Sequence, residues 1–189
     1  LPAKQDPFTV PRDIQTEGWN AWYARRTERD LVLKMNTGSG KTVVGLIILQ
    51  SALNEGVDPA VYLVPDKHLQ GQVIDTATKL GLAYTTDPDD GDFRRGRSIL
   101  IVTMSRLFKG RSKFGVRGGS VNPRIPNSAR VIDDAHACIP IIENQFTITI
   151  PREEAPTSPF QRLFSLFSDD LKAQSLSGWA DIQQANGST

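Results

Sequence analysis

Apolar positions along this chain gather into short runs separated by polar, glycine-rich breaks. LVLKM (31–35), AVYLV (60–64), SILIV (98–102) and ARVID (129–133) are too short for buried helices and predict strands. AVYLV has no polar alternation, which suits a sheet covered on both faces, and SILIV predicts a second buried strand. QFTITI (145–150) does alternate and predicts a fifth, more exposed strand. Between these runs the period lengthens to that of a helix. Residues 12–25 predict one with Ile14, Trp19, Trp22 and Tyr23 roughly on one side, the aromatics reading as core. Lys41 to about Asn54 predicts a second, stopped by Gly56, and Asp66 to Leu80 a third, capped at Asp66 and stopped at Gly81. MSRLFK (104–109) predicts a short helix, and Gly110–Asn127 reads as loop. After the cap-and-first-turn pair Ser158-Pro159, the residues Phe160, Leu163, Phe164, Phe167 and Leu171 recur at helical spacing and predict a core-facing amphipathic helix. Strands alternating with helices predict an α/β fold, a mostly parallel sheet with helices on both faces.

The break between the first strand and the second helix is MNTGSGKT (35–42). A plain turn explains its Gly and Ser. It does not explain a lysine at a helix N-terminus, where partial positive charge already resides. An anion in the loop does. Gly38 and Gly40 let backbone N–H groups converge on phosphate oxygens, with Thr37 and Ser39 completing the loop; Lys41 reaches the outer phosphates and the Thr42 hydroxyl ligates Mg²⁺. Met35 stands where the usual P-loop pattern opens with Gly.

Composition narrows the setting. The 189 residues suffice for one domain with a full core, and the net charge of +1 says nothing about partners. Charge distribution says more: Phe93–Arg130 holds ten basic residues and no acidic one, directly after the acidic DPDDGD (87–92). Such a block is either a solvated face or a surface for a phosphate backbone. The single cysteine, Cys138, forbids an internal disulfide and reads as a small buried residue. With no signal-peptide pattern and no long apolar stretch, a cytoplasmic protein is expected. A chain opening on Leu1 is expected to be a fragment or a processed product.

Hydrolysis needs more than a phosphate loop. ARVIDDAHAC (129–138) delivers Asp133 to the end of a strand, where open α/β sheets bind ligands. Asp133 would hold Mg²⁺ with Thr42, and Asp134 would polarise the attacking water. TGSGKT and DDAH together resemble motifs I and II of superfamily 2 helicases, the DEAD/DEAH-box-like ATPases, and the resemblance runs in order over roughly residues 10–138. PRDIQ (11–15) is similar to the adenine-reading Q-type motif, which implies Gln15 on the adenine edge with Arg12 in support. VYLVPDKHLQGQ (61–72) resembles motif Ia, implying Pro65 and Gln72 as nucleic-acid contacts, with Asp66 replacing the usual threonine. ILIVTMSRLFKG (99–110) resembles motif Ib, implying Thr103 and Arg106 as backbone contacts. His136 would couple the two sites.

The resemblance implies a first RecA-like lobe over residues 1–150, a helical extension over 151–189, and ATP and Mg²⁺ as ligands. The partner would be DNA or RNA, with a lean to DNA. The family's second carboxylate is Glu, and here it is Asp134, one methylene shorter. A displacement of about 1 Å in a catalytic group costs on the order of 10²-fold in rate. Nothing after residue 138 reads as motif III or as the second lobe, which carries an arginine finger worth roughly 10³–10⁵ in kcat. ATP binding with poor hydrolysis by this chain alone is therefore expected. Two rivals stand beside this reading: a non-catalytic nucleotide-sensing scaffold, and a P-loop kinase. A GTPase would need a guanine-reading N/T-K-x-D motif, which the sequence lacks.

Overall fold

The computed structural model describes residues 10–108, 112–114, 125, 129–153 and 155–184. The chain divides into two units, 1–146 and 147–189. The first is built on a parallel sheet of β1 (Ala60–Val64), β2 (Tyr84–Thr85), β3 (Ile99–Thr103) and β4 (Ala129–Ile132), in the order β2-β3-β1-β4. The register places Val64 beside Thr103 and Leu63 beside Ile132, so three strands end together along one edge.

Both faces of the sheet are covered, as the unbroken apolar runs require. On one face, Tyr62 and Val64 of β1 meet Val43, Leu46 and Leu49 of α2 (Lys41–Asn54) and Val73 and Ala77 of α3 (Lys67–Lys79). On the other, Val61, Leu63, Leu100 and Val102 meet Met104 of α5 (Met104–Phe108), Cys138 of α6 (Ala135–Phe146) and Phe93 of α4 (Gly91–Arg94). The helix α1 (Asp13–Ala24) packs on α2, with Trp19 against the first of these clusters. Tyr23 departs from its expected place in the core: it is exposed, with the Arg26 guanidinium 3.9 Å above its ring.

The predicted caps hold. Asp66 Oδ1 accepts from Leu69 N at 2.8 Å, and Gly56 and Gly81 end their helices at φ of 76° and 67°. Two predicted strands do not form. Leu31–Met35 runs outside the sheet, and Val32 is 93 % exposed. A buried strand needs cover on both faces, and no described element covers that side chain. QFTITI fails because α6 continues to Phe146, whose ring packs edge-on against Phe108 at 5.7 Å, while Ile148 is left exposed. Most of Gly110–Asn127 lies outside the described residues.

In the second unit, Ser158 Oγ accepts from Gln161 N at 3.2 Å and opens α7 (Pro159–Leu166), as Ser-Pro predicts. The single helix expected through Leu171 is broken at Phe167 into α7 and α8 (Ser168–Gln174), followed by α9 (Leu176–Gln184). The stripe gathers around stacked rings, Phe160 on Phe164 at 5.8 Å and Phe164 on Trp179 at 4.9 Å, and leaves Leu166 exposed.

Candidate functional site

Glycine geometry shapes the loop ahead of α2. Gly38 and Gly40 take φ of 77° and 84°, a left-handed conformation that side chains resist. Gly40 precedes α2 directly, and a Cβ there would collide with Gln15 Nε2. Helix α2 opens directly from this turn, and the first N–H groups of a helix suit an anion. Ser39 Oγ is buried beside it with no protein partner, and a buried hydroxyl left unpaired is costly. Lys41 is exposed at the loop's mouth.

The N-terminus of α1 braces this loop. Arg12 Nη1 donates to Gly38 O at 3.1 Å. Gln15 is buried, and its Oε1 accepts from Arg12 N at 3.0 Å. Arg12 and Gln15 share a cavity of about 740 Å³ with Thr37, Gly38, Lys41, Thr42, Asp133 and Asp134. An apolar side of the same cavity comes from Val10, Trp19, Ile47 and Leu69. Sequence reasoning missed the roles of Trp19 and Ile47 because apolar lining looks like core from the sequence.

The DDAH turn arrives from β4. Asp133 N donates to Leu63 O at 2.9 Å, extending the ladder by one residue and fixing where the carboxylate begins. Thr42 Oγ1 lies 3.4 Å from Asp133 Oδ2 across 91 residues of sequence. Tyr62, which sequence reasoning passed over, donates its hydroxyl to the same Oδ2 at 2.9 Å. Burial first, then the Asp133 charge and hydrogen bond, hold that phenol far above its ordinary pKa, so it is a permanent donor.

Asp134 takes φ 48°, a left-handed position that Asp tolerates better than most residues. Its backbone oxygen accepts from Ala137 N and Cys138 N, and its Oδ1 lies 3.4 Å from Ala137 N. The second carboxylate thus lines the cavity while leaning on the start of α6. His136 is exposed in the first turn of α6. Cys138 is buried as expected; burial, then the charges of Asp134 and Asp133, push its thiol up to about 11.

The donor set fits Mg²⁺ bound with phosphates. Among the described residues no cluster of three or more His, Cys, Asp or Glu could hold a metal alone. Mg²⁺ takes one or two carboxylates plus phosphate oxygens and water, and Thr42 and Asp133 would offer it a hydroxyl and one carboxylate.

The residues expected to touch nucleic acid are distributed differently. Pro65 and Thr103 follow or end β1 and β3 on the same sheet edge as Asp133; Pro65 is buried, and Thr103 Oγ1 lies 3.2 Å from Ser105 Oγ. Gln72 faces the cavity from α3, with its Nε2 3.1 Å from His68 Nε2. Arg106 Nη1 donates to Thr86 O at 3.3 Å. The basic block is partly neutralised by the acidic run before it. Asp89 pairs with Arg94 and with Lys113 Nζ at 3.1 Å, and Asp92 with Arg95 at 2.9 Å.

Comparison with known proteins agrees with this geometry. The family model described as DEAD/DEAH box helicase matches residues 12–139. The chain is 32 % identical over 119 residues to DEAD-box ATP-dependent RNA helicase 58, chloroplastic, of Arabidopsis thaliana, covering 53 % of this chain and 25 % of that protein. It is 28 % identical over 133 residues to ATP-dependent RNA helicase DBP10 of Mycosarcoma maydis, covering 66 % of this chain and 11 % of that protein. The chain thus spans a quarter or less of these two relatives. No solved structure gives a significant match.

Proposed function

The chain belongs to the DEAD/DEAH box helicase family, and from that premise we propose that residues 1–150 form the ATP-binding lobe of an RNA-dependent ATPase. The observation that carries this reading is the meeting of Thr42 and Asp133, 91 residues apart, beside a left-handed glycine loop at the strand ends. Backbone N–H groups after Gly40 and the Lys41 ammonium would bind the phosphates. Arg12 and Gln15 would carry the adenine side of the cavity. Thr42 and Asp133 would hold Mg²⁺, which neutralises phosphate charge when bound. Asp134 would orient water, and His136 would face the nucleic-acid side.

RNA replaces the expected lean to DNA because the two relatives described above are named RNA helicases. Thr103 and Arg106 would contact its backbone, whereas Pro65 is buried and Gln72 lines the cavity assigned here to the nucleotide. Contacts to phosphates make binding fall with salt. Residues 151–189 would form a helical extension to the lobe. Competition for a fluorescent adenine nucleotide tests the reading. ATP and ADP should displace it and GTP should not. Equal displacement by GTP would contradict the Gln15 assignment, and an absence of binding would favour a scaffold that has lost its nucleotide.

A further inference from the structure

The buried hydroxyl of Tyr62 is the feature of this site that the phosphate-loop and DDAH patterns leave unexplained. Tyr62 sits in the middle of β1, between Val61 and Leu63, and is 1 % exposed. An aliphatic side chain would fill a buried strand without needing a partner. This one spends its donor on Asp133 Oδ2, at 2.9 Å, on the neighbouring strand's end. Thr42 Oγ1 approaches the same oxygen at 3.4 Å. Two donors from different elements therefore converge on one carboxylate oxygen and fix the plane of the group.

The helix above makes room for the ring. Gly45 lies in the apolar interior of α2, one turn after Thr42. A Cβ at Gly45 would stand 3.0 Å from Tyr62 Cε2, 3.3 Å from its Oη and 2.9 Å from Val131 Cγ1. Glycine inside a helix is unfavourable unless a close approach requires it. A buried phenol and an interior glycine each carry a local cost, and both are explained by one outcome, a fixed Asp133.

We propose that Tyr62 is the positioning residue of the metal-and-phosphate site, holding Asp133 in the orientation that receives a divalent cation beside Thr42, with Gly45 shaped to admit it. This rests on the ATP-binding reading above. Removing the outer partner of a metal ligand typically costs 10–100-fold in metal affinity. Tyr62→Phe keeps the ring and removes the donor.

The experiment follows binding of fluorescent ADP to wild type and Tyr62→Phe, first in EDTA and then across a Mg²⁺ titration, with urea unfolding as a folding check. The Mg²⁺ concentration for half-maximal effect should rise about 10-fold or more in the variant, while binding in EDTA stays within about twofold because the phosphate loop is intact. Adding Tyr62→Phe to Asp133→Asn should produce no further shift. Gly45→Ala keeps the hydroxyl but displaces the ring, and should shift the Mg²⁺ midpoint in the same direction even if the phenylalanine variant folds poorly. An unchanged midpoint in a wild-type-like background overturns the positioning role alone. Equal loss with and without Mg²⁺ assigns Tyr62 to packing and also overturns it. A wild type that binds no nucleotide under either condition overturns the ATP reading and this inference together.

Discussion

Gly45→Ala should destabilise the protein, against the ordinary trend for a helix interior. Replacing an interior helical Gly by Ala usually gains about 0.5–1 kcal/mol. Here the new methyl would stand 2.9 Å from Val131 Cγ1 and 3.0 Å from Tyr62 Cε2. Neither contact is with the far end of a long flexible side chain. Overpacking of this kind costs about 1–3 kcal/mol. The balance is a net loss of about 1 kcal/mol, or a Tm lower by roughly 2–4 °C for a chain of this length. Gly71→Ala in α3 is the internal control, because a Cβ there meets nothing within 4 Å. It should gain the usual 0.5–1 kcal/mol or so. Urea unfolding followed by tryptophan fluorescence measures both. Adding Val131→Ala to Gly45→Ala should cost less than the sum of the two single changes, since one removes the atom the other strikes. Stabilisation of Gly45→Ala equal to that of Gly71→Ala would refute the packing argument and weaken the link from Gly45 to Tyr62.

Other outcomes follow from the same geometry. Asp134→Ala should cost about 1–2 kcal/mol in urea unfolding, through the lost contact at the start of α6 and a left-handed backbone at φ 48°; Asp134→Gly should lie closer to wild type. Cys138, with its thiol at about 11, should react with iodoacetamide at pH 8 roughly 100-fold more slowly than an ordinary thiol and label fully in urea. Asp89→Asn should steepen the salt dependence of single-stranded RNA binding by about 0.7 for each freed cation that reaches a phosphate, measured by fluorescence anisotropy. Lys113, first, and then Arg94 hold the Asp89 carboxyl below its ordinary value. The stabilising contribution of these pairs is therefore complete above the ordinary carboxylate range and is lost as pH falls through the lower folded value. Carboxyl chemical shifts of Asp89 followed by NMR from pH 6 to pH 2 should show that order.

The legible parts of the fold are those that local chemistry decides. AVYLV and SILIV are apolar without interruption because both faces are covered, and Asp66, Gly56 and Gly81 cap or end helices by their own side chains or backbone freedom. The failures concern context. LVLKM has a strand's composition, yet pairing depends on a neighbour and on cover that no local pattern encodes. QFTITI alternates like a strand, but Phe146 is claimed by Phe108 and the helix carries through to it. The Phe160–Leu171 periodicity is real, but the chain breaks at Phe167. For the site, TGSGKT and DDAH stand out because phosphate and metal binding would demand those residue types, and the fold brings residues of both to one cavity. The Tyr62–Asp133 bond was not, although a tyrosine in an otherwise aliphatic strand and a glycine in an apolar helix were its two visible signs.

Calorimetric titration with Mg-ATP, wild type beside Lys41→Ala, decides whether the glycine loop holds a nucleotide. Wild type should bind one Mg-ATP, and Lys41→Ala should lose it while unfolding at the same urea concentration. Binding that survives the loss of Lys41 unchanged would contradict a nucleotide site at the glycine loop.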